Sequence, residues 1–307
     1  MRFVLMTEPQ LGGSYDDLVH AARAAERAGL DAFSRSDHYY SGKPGLPTTD
    51  AFTTMGGIAR EVRKVRLCVL VSPITFRHPA VIAKAATSID EMSGGRFDMG
   101  VGTGWMVAEH AAFGLPFPPL AERFDRLEEC LAYLRAAFSG EEFAGRYYRI
   151  DAEVRPRPAS LRLIVGGSGT TKTPDLAGRF ADEYNHPLVA PDQLRAKIER
   201  VRESAVAVGR DPSSITLSVM GPALLGASKD RLSELIGNAA SLRGDAVAEL
   251  EERWSRSWVP RGAPADAAAM FDAFEAVGVS KYYLQWFDLT DRSGIVEQAQ
   301  LAAEVGR

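Results

Sequence analysis

The chain has 307 residues and a formal net charge of −4, with 46% apolar and 25% charged residues, a composition typical of a globular protein. The negative charge gives no general attraction to nucleic acid or to an anionic membrane, and no stretch approaches the roughly 18 apolar residues of a membrane-spanning helix. The two cysteines, Cys68 and Cys130, fit no metal or redox spacing. We therefore expect buried thiols in a cytoplasmic protein.

Strand and helix patterns alternate through the first third of the chain. An apolar run at residues 3–6 predicts a strand, and the helix after it has Ser14 as its N-cap and Gly29 as its terminating residue. The elements that follow in chain order are strands at residues 30–38 and 65–73, a helix at residues 79–92 and a strand at residues 96–102.

The helix pattern is clearest from Leu120 to Phe138, where apolar residues recur at steps of three and four. The same alternation of strand and helix continues beyond it. The later elements are a strand at residues 161–165, a helix through Leu176 and Phe180, a strand at 181–185, a helix at 192–208, strands at 214–221 and 281–287, and a closing helix at 294–305.

Eight strands, each followed by a helix, predict one α/β domain over residues 1–307, a (β/α)8 TIM barrel with insertions in its loops. A doubly wound open sheet uses the same alternation but has about six strands. Long connections are predicted at residues 38–53, 103–119 and 139–160, the last with room for a small hairpin. Residues 222–265 are weakly patterned, helical and charged, and we interpret them as a lid or outer insertion.

Polar and glycine-rich clusters follow five consecutive strands. They are Ser36-Asp37-His38, Ser72-Pro73, residues 100–105 (GVGTGW), residues 166–170 (GGSGT) and Tyr184-Asn185-His186. Because the C-terminal ends of barrel strands meet at one mouth, the clusters predict a site there. The segment 166–170 before a helix is suited to phosphate through its backbone amides, with Lys172 as added charge, although it can also be a plain tight turn.

His38 is the candidate acid or base, because histidine titrates near neutral pH. Trp105 could form one wall for a ring-shaped ligand, or it could belong to the core. The patterns of a Walker A loop, a dinucleotide-binding turn and a hydrolase elbow are absent, and no two of the five histidines have metal-ligand spacing. The sequence therefore indicates no hydrolase elbow and no metal site.

Five blocks of the chain resemble the luciferase-like superfamily of flavin- and F420-dependent oxidoreductases. They are residues 21–39, 69–105, 120–138, 142–150 and 161–185. The resemblance implies an oxidoreductase with a barrel whose mouth binds a flavin or deazaflavin ring. It also implies that a homodimer can form and that the substrate is a small molecule.

The resemblance assigns cofactor binding to twelve residues. They are Asp37, Val69, Leu70, Val71, Gly102, Gly104, Gly166, Gly167, Ser168, Gly169, Thr170 and Asn185. It implies a non-proline cis peptide at about residues 69–71, behind the ring. His38 is the expected catalytic residue, and Tyr39 and Trp105 are expected in a pocket for a small apolar or conjugated substrate.

The segments SDH (residues 36–38) and GVGTGW (residues 100–105) are more similar to members of the superfamily that use coenzyme F420 than to those that use FMN. They favour hydride transfer between F420 and a small organic substrate. The alternatives are an FMN-dependent monooxygenase that uses reduced flavin, O2 and a flavin reductase partner, a non-catalytic flavin-binding barrel, and an unrelated sugar-metabolising barrel. In the sugar-phosphate dehydrogenase branch an acidic residue follows the GTG segment. In this chain Trp105 occupies that position, and no basic residues that would bind a sugar phosphate can be located. Glu109 or His110 could supply an acid nearby.

Overall fold

The computed structural model describes residues 1–42, 45–151, 153–226 and 228–306. Its strands are β1 (Arg2–Thr7), β2 (Ala32–Arg35), β3 (Arg66–Pro73), β4 (Phe97–Gly102), β5 (Arg162–Gly166), β6 (Glu183–Pro187), β7 (Thr216–Gly221), β8 (Leu224–Leu225), β9 (Arg261–Gly262) and β10 (Lys281–Trp286). Eight of them form a closed parallel barrel in the order β1-β10-β7-β6-β5-β4-β3-β2. The predicted TIM barrel is confirmed, and the open sheet is excluded because the barrel closes.

Helices follow the barrel strands and cover the outside of the barrel. They are α1 (Tyr15–Ala28), α2 (Ala51–Glu61), α3 (Pro79–Ser93), α4 (Val107–Ala112), α5 (Leu120–Ser139), α6 (Lys172–Phe180), α7 (Pro191–Ala207), α8 (Lys229–Arg243), α9 (Val247–Arg256), α10 (Pro264–Glu275) and α11 (Arg292–Val305). The predicted N-cap of α1 is present, because Ser14 and Asp17 form a capping box. Gly29 ends the helix at a φ of 76°, which glycine adopts without steric cost.

Three strands differ by two or more residues from their predicted bounds, among them β7, which begins at Thr216 instead of residue 214. The second strand ends at Arg35 instead of residue 38. The buried Arg35 guanidinium donates hydrogen bonds to the Ser36 carbonyl at 2.9 Å and to the Thr49 carbonyl at 2.8 Å, so the Ser36 carbonyl has a side-chain partner in place of a strand. The sixth strand begins at Glu183 instead of residue 181. There the Ala181 carbonyl accepts a hydrogen bond from an arginine side chain at 2.6 Å, and pairing with β5 starts only at residue 183.

The long connections also differ from the prediction. The hairpin expected in residues 139–160 is absent from the described part of this segment, where the Glu129 carboxylate binds the backbone amides of Tyr147 and Tyr148 at 2.6 to 2.9 Å. Helix α2 was not predicted, and it begins inside the expected connection 38–53 with Asp50 as its N-cap. Residues 43, 44, 152 and 227 of the predicted connections and insertion, together with residue 307, lie outside the described residues.

The barrel interior has a charged layer below an apolar layer. In the lower layer Lys281 is fully buried and donates to Glu183 at 2.8 Å, and the Tyr283 hydroxyl donates to the same carboxylate at 2.8 Å. The upper layer contains Met6 and Leu70, with Val71 and Met220 packed against them, and forms the floor beneath the mouth. Any ligand of the barrel must therefore lie above this floor, on the C-terminal side.

Residues 222–265 contain α8 and α9 and the two-stranded parallel sheet β8-β9, so the helical interpretation is correct. Trp254 of α9 stacks on Phe287 with ring centroids 6.5 Å apart, which attaches the insertion beside β10. Cys68 and Cys130 are buried, as predicted, and burial raises the pKa of the Cys130 thiol to about 12. Among the helices described here, none has the length and apolar character that crossing a bilayer requires.

Candidate active site

A cavity of about 610 Å³ lies at the C-terminal mouth of the barrel, within the size range of ligand pockets. Eleven of the predicted site residues line it. They are His38, Leu70, Val71, Gly102, Gly104, Trp105, Gly166, Gly167, Ser168, Gly169 and Asn185. The barrel closure thus brings together residues that are up to about half the chain apart in sequence.

Four predicted site residues lie outside this lining: Asp37, Tyr39, Val69 and Thr170. The Val69 side chain lies in the core between the barrel and its helices, because side chains alternate between the two faces of a strand. Thr170 is exposed beside the cavity. Neither side chain forms part of the cavity lining.

Asp37 and Tyr39 belong to a network around Arg77. The Arg77 guanidinium forms a two-pronged ion pair with Asp37 and also binds Asp50 and the Tyr39 hydroxyl. Burial alone would raise the pKa of Asp50, but hydrogen bonds from the Thr53 amide and from Arg77 lower it to about 2. The network fastens the segment after β2 to the start of α3, so Asp37 positions its neighbour His38.

His38 and Glu109 form a hydrogen-bonded pair at the edge of the cavity. Nδ1 of His38 lies 2.9 Å from one carboxylate oxygen of Glu109. The other oxygen accepts hydrogen bonds from the backbone amides of Tyr39 and Tyr40. A carboxylate on Nδ1 favours the tautomer with the proton on that atom, which leaves Nε2 as an acceptor. His38 lines the cavity, and its imidazole and the ring of Trp105 are in a T-shaped arrangement with centroids 5.6 Å apart.

The pKa of His38 is raised above its ordinary value. Burial lowers it, but the hydrogen bond to Glu109 and the negative charges of Glu8, Glu109 and Asp37 together raise it more. The neighbouring His110 has a different role. It is buried, with Nδ1 at 2.8 Å from the Met106 carbonyl and Nε2 at 2.7 Å from the Thr75 hydroxyl, so both ring nitrogens are occupied. Of the two acids considered from the sequence, only Glu109 contacts the candidate base.

Glu8 is a buried carboxylate in the lining that the sequence prediction missed. It follows β1 directly and accepts hydrogen bonds from Gln10 at 2.6 Å and Gln285 at 2.5 Å. The Ser36 hydroxyl adds a further hydrogen bond to this group by donating to the Gln10 side-chain oxygen at 2.7 Å. An acidic residue placed just after an apolar strand was the available signal, because all barrel strands end at the same mouth.

Glycines 100, 102 and 166 make room for the side chain of Val71. A Cβ at Gly166 would lie 2.7 Å from Cγ1 of Val71, and a Cβ at Gly100 would lie 2.8 Å from the same atom and 2.6 Å from the Val69 carbonyl. The peptide bond between Leu70 and Val71 is cis, within the segment where the resemblance implies such a bond. These glycines therefore fit the neighbouring strand, and Gly102 and Gly166 also line the cavity.

The segment 166–170 forms an open turn before α6. The helix has no side-chain cap, and no described carbonyl accepts a hydrogen bond from the backbone amides of residues 168–171. A Cβ at Gly169 would lie 2.5 Å from the Thr173 hydroxyl, so only glycine leaves this cradle open. Free amides at a helix N-terminus suit an anionic group such as phosphate. Lys172 does not line the cavity and lies 3.8 Å from Asp125.

One wall of the cavity comes from α5, which the sequence did not assign to the site. Leu120, Phe124 and Leu127 present apolar surface, and Arg123 lies among them. The guanidinium of Arg123 donates to the carbonyls of Pro118, Thr103 and Gly104 and lies 3.8 Å from the centroid of the Phe117 ring. A basic residue within an apolar helix face was the signal that could have pointed to this wall.

The cluster Tyr184-Asn185-His186, predicted to follow the sixth strand, lies within β6 and divides between the cavity and the outer core. Asn185 lines the cavity and donates to the Ser218 hydroxyl at 2.9 Å. Tyr184 and His186 alternate to the other face, and burial is the main cause that lowers the pKa of His186 to about 4. Among the residues with described positions, no three His, Cys, Asp or Glu side chains are placed to hold a metal ion.

Comparison with known proteins relates the chain to one family. The family model described as "Luciferase-like monooxygenase" matches residues 1–295. The chain is 27% identical over 304 residues to an F420-dependent glucose-6-phosphate dehydrogenase of Segniliparus rotundus, which covers 94% of this chain and 85% of the relative. It is 27% identical over 226 residues to the pyrimidine monooxygenase RutA of Allorhizobium ampelinum, which covers 69% of this chain and 61% of the relative.

A solved structure gives the same fold at lower sequence similarity. The chain matches an F420-dependent secondary alcohol dehydrogenase in complex with an F420-acetone adduct, with a TM-score of 0.82 and 20% identity. The match covers 99% of this chain and 97% of the other. At this identity the likeness supports the barrel alone.

Proposed function

Because the chain belongs to the luciferase-like monooxygenase family, we propose that it is an F420-dependent oxidoreductase that transfers a hydride between the deazaflavin and a small organic substrate. The observation that carries the proposal is the His38–Glu109 pair at the edge of a cavity with an open backbone cradle. The name of the Segniliparus relative supports F420 as the cofactor.

The cavity contains groups that fit the cofactor. The backbone amides of residues 168–171 and the Thr173 hydroxyl would hold its phosphate, since the cradle at Gly169 is open and the helix start is uncapped. Leu70, Val71 and Met220 give the apolar floor on which a ring can pack. When bound, F420 would supply the hydride chemistry, and the chain would supply binding, orientation and proton transfer.

The role of His38 in this function is to move one proton at Nε2. When an alcohol is oxidised, its carbon loses a hydride and its hydroxyl loses a proton, and Nε2 can accept that proton because Glu109 holds the other ring nitrogen. The imidazolium formed is stabilised by Glu109 and Glu8, the same carboxylates that raise the pKa of His38. In the direction of reduction the same atom returns the proton.

Titration with F420 and, separately, with FMN tests the cofactor. Quenching of the fluorescence of the four tryptophans gives both affinities, and we expect F420 to bind at least about tenfold more tightly than FMN. Gly169→Ala should weaken F420 binding, because its Cβ would fill the cradle 2.5 Å from Thr173. Gly237→Ala, in α8 with no atom near its Cβ, is the matched control. Binding of neither flavin would refute the proposal.

Replacement of His38 by alanine tests the proton transfer. We expect turnover to fall at least about tenfold, at the low end of acid–base effects, while the affinity for F420 stays within about twofold of the wild type, since the cradle is not touched. Unchanged turnover would show that His38 has no catalytic role. A wild-type protein that binds F420 but transfers hydride to no acceptor in a broad screen would be a non-catalytic flavin-binding barrel.

An FMN-dependent monooxygenase is the second candidate, favoured by the likeness to the pyrimidine monooxygenase RutA. This function would need reduced flavin from a reductase partner and O2 as co-substrate. A preference for FMN in the same titration, followed by consumption of O2 with chemically reduced FMN, would support the monooxygenase over the F420-dependent oxidoreductase.

A further inference from the structure

We propose that the substrate is an uncharged molecule with an apolar body that packs against Trp105 and Leu120, and that the site does not accept a phosphorylated sugar. The inference rests on the proposed function, because it assigns a substrate class to the same cavity. It separates this chain from what the name of the Segniliparus relative would suggest.

The charges around the cavity disfavour a phosphate on the substrate. The charged side chains in the described lining are Glu8, His38 and Arg123. Arg123 is only 8% exposed and its guanidinium is engaged by three backbone carbonyls and an aromatic ring. Glu8 would repel a phosphate dianion near His38. The cradle at residues 168–171 can hold one phosphate, and the proposed cofactor already brings one.

The rim of the cavity carries exposed apolar surface where the substrate would enter. Trp105 is 69% exposed and Leu120 is 53% exposed, although both line the cavity. Val107 and Phe113, in the connection between them, are also more than half exposed, although neither lines the cavity. Apolar side chains grouped around an opening gain free energy when an apolar ligand covers them. Trp105 also contacts the imidazole of His38, so a substrate against its ring would lie beside the proton acceptor.

Binding to the F420-loaded protein tests this preference without relying on turnover. Isothermal titration calorimetry is performed with 2-butanol, 2-hexanol, 2-octanol, glucose 6-phosphate and inorganic phosphate. We expect affinity to rise about two- to fourfold for each added methylene, and 2-octanol to bind more tightly than either phosphate compound. Tighter binding of glucose 6-phosphate than of all three alcohols, or no binding of any alcohol, would overturn the inference.

Variants locate the contact. Trp105→Ala and Leu120→Ala should each weaken 2-octanol binding, the first by at least about fivefold through the lost aromatic surface. Trp258→Ala removes a tryptophan that is 39% exposed and does not line the cavity, so it should leave the affinity unchanged. Equal effects of Trp105→Ala and Trp258→Ala would contradict the proposed contact.

The two hypotheses fail in distinguishable ways. If the cofactor proposal is wrong, the wild type binds F420 weakly. The alcohol series is then measured on protein loaded with FMN, or on unloaded protein if it binds neither flavin. If the substrate proposal is wrong, the protein binds glucose 6-phosphate more tightly than the alcohols, or binds no alcohol, whichever cofactor is bound.

Discussion

At the scale of single residues, Glu109 joins two parts of the mouth. One carboxylate oxygen fixes Nδ1 of His38, and the other binds the backbone amides of Tyr39 and Tyr40 on the segment after β2. The carboxylate lies on α4 in the connection after β4, so it sets both the tautomer of the base and the path of the neighbouring chain. Under the proposed function, Glu109 is therefore a positioning residue for proton transfer.

Glu109→Gln should move the pH dependence of the reaction. The carboxylate raises the pKa of His38, and a base must be unprotonated to act. Removing the negative charge lowers that pKa, so the acidic limb of the kcat/KM profile for oxidation should shift to lower pH. The amide NH2 facing Nδ1 also favours the wrong tautomer, and we expect the plateau to fall about tenfold or more. A profile measured from pH 5 to 9 checks both effects.

The control for this profile is Glu122→Gln, which removes a half-buried carboxylate that pairs with Arg126 on α5. Its acidic limb should coincide with that of the wild type. A Glu109→Gln profile that also coincides with the wild type would mean that Glu109 does not act through His38.

At the scale of elements, strands β3, β4 and β5 fit together through one side chain. Val71 projects between β4 and β5, and the glycines at 100, 102 and 166 are the positions where any Cβ would meet it or the chain beside it. The hydrogen-bond register between β3 and β4 shifts between Val69 and Ser72, at the same place. The glycine-rich sequence of this region is thus explained by strand packing before any ligand is considered.

Gly166→Ala should destabilise the protein by about 1–3 kcal/mol through overpacking against Val71. Val71→Ala in the same chain should recover most of this loss, because Cγ1 of Val71 is the one close contact at 2.7 Å. Gly100→Ala should not be rescued in this way, because its Cβ would also meet the Val69 carbonyl at 2.6 Å. Equilibrium urea unfolding of the single and double variants measures the difference.

The outcome for Gly237→Ala serves as the baseline for these variants. Its Cβ would meet no atom within 4 Å, so replacement inside α8 should stabilise the protein by about 0.5–1 kcal/mol. Failure of Val71→Ala to improve Gly166→Ala would show that the two residues do not compete for space.

The elements that could be predicted from sequence are those with strong local patterns. The barrel follows from the eight apolar strands, and the capping box at Ser14 marks α1 because the signal is local. Helix α2 was missed, since its start depends on Asp50, which lies in a loop held from a distance by Arg77. The end of β2 was misplaced for a similar reason, because Arg35 donates to the Ser36 carbonyl, which a longer strand would have used, and to the remote Thr49 carbonyl.

The candidate site could be predicted in part. The mouth clusters indicated most of the lining, since strand ends converge in a barrel. The resemblance gave Asp37 a cofactor role, but its carboxylate is buried against Arg77 and does not reach the cavity. Glu8 and Arg123 were missed, because each contributes through partners that are remote in sequence or on a helix wall.

At the scale of the whole molecule, the barrel is supported below the site by buried charges. Lys281 and Glu183 are both almost completely buried and are 2.8 Å apart. Burial lowers the pKa of Lys281, but Glu183, Asp31 and Asp98 raise it more, so the ammonium is retained. A buried pair of this kind is costly to break, because the remaining partner keeps its desolvation cost without its counter-charge.

Lys281→Met should therefore lower the free energy of unfolding by about 3–5 kcal/mol. Arg23→Met breaks the exposed pair with Glu61, which has a comparable separation of 2.7 Å, and should cost less than about 1 kcal/mol. Urea unfolding at neutral pH compares the two. Equal losses would mean that the interior pair contributes no more than a surface pair.

Arg123 gives the rim of the cavity a further property. Its guanidinium binds carbonyls at residues 103 and 104 and at residue 118, so one side chain closes both ends of the connection that carries Trp105, Val107 and Phe113. A connection closed at its base can change at its exposed positions at small entropic cost while its ends stay together, provided that Glu109 keeps its contact with His38. Under the proposed function, substrate preference can thus diverge through the exposed positions 105, 107 and 113 without any change in the strands of the barrel.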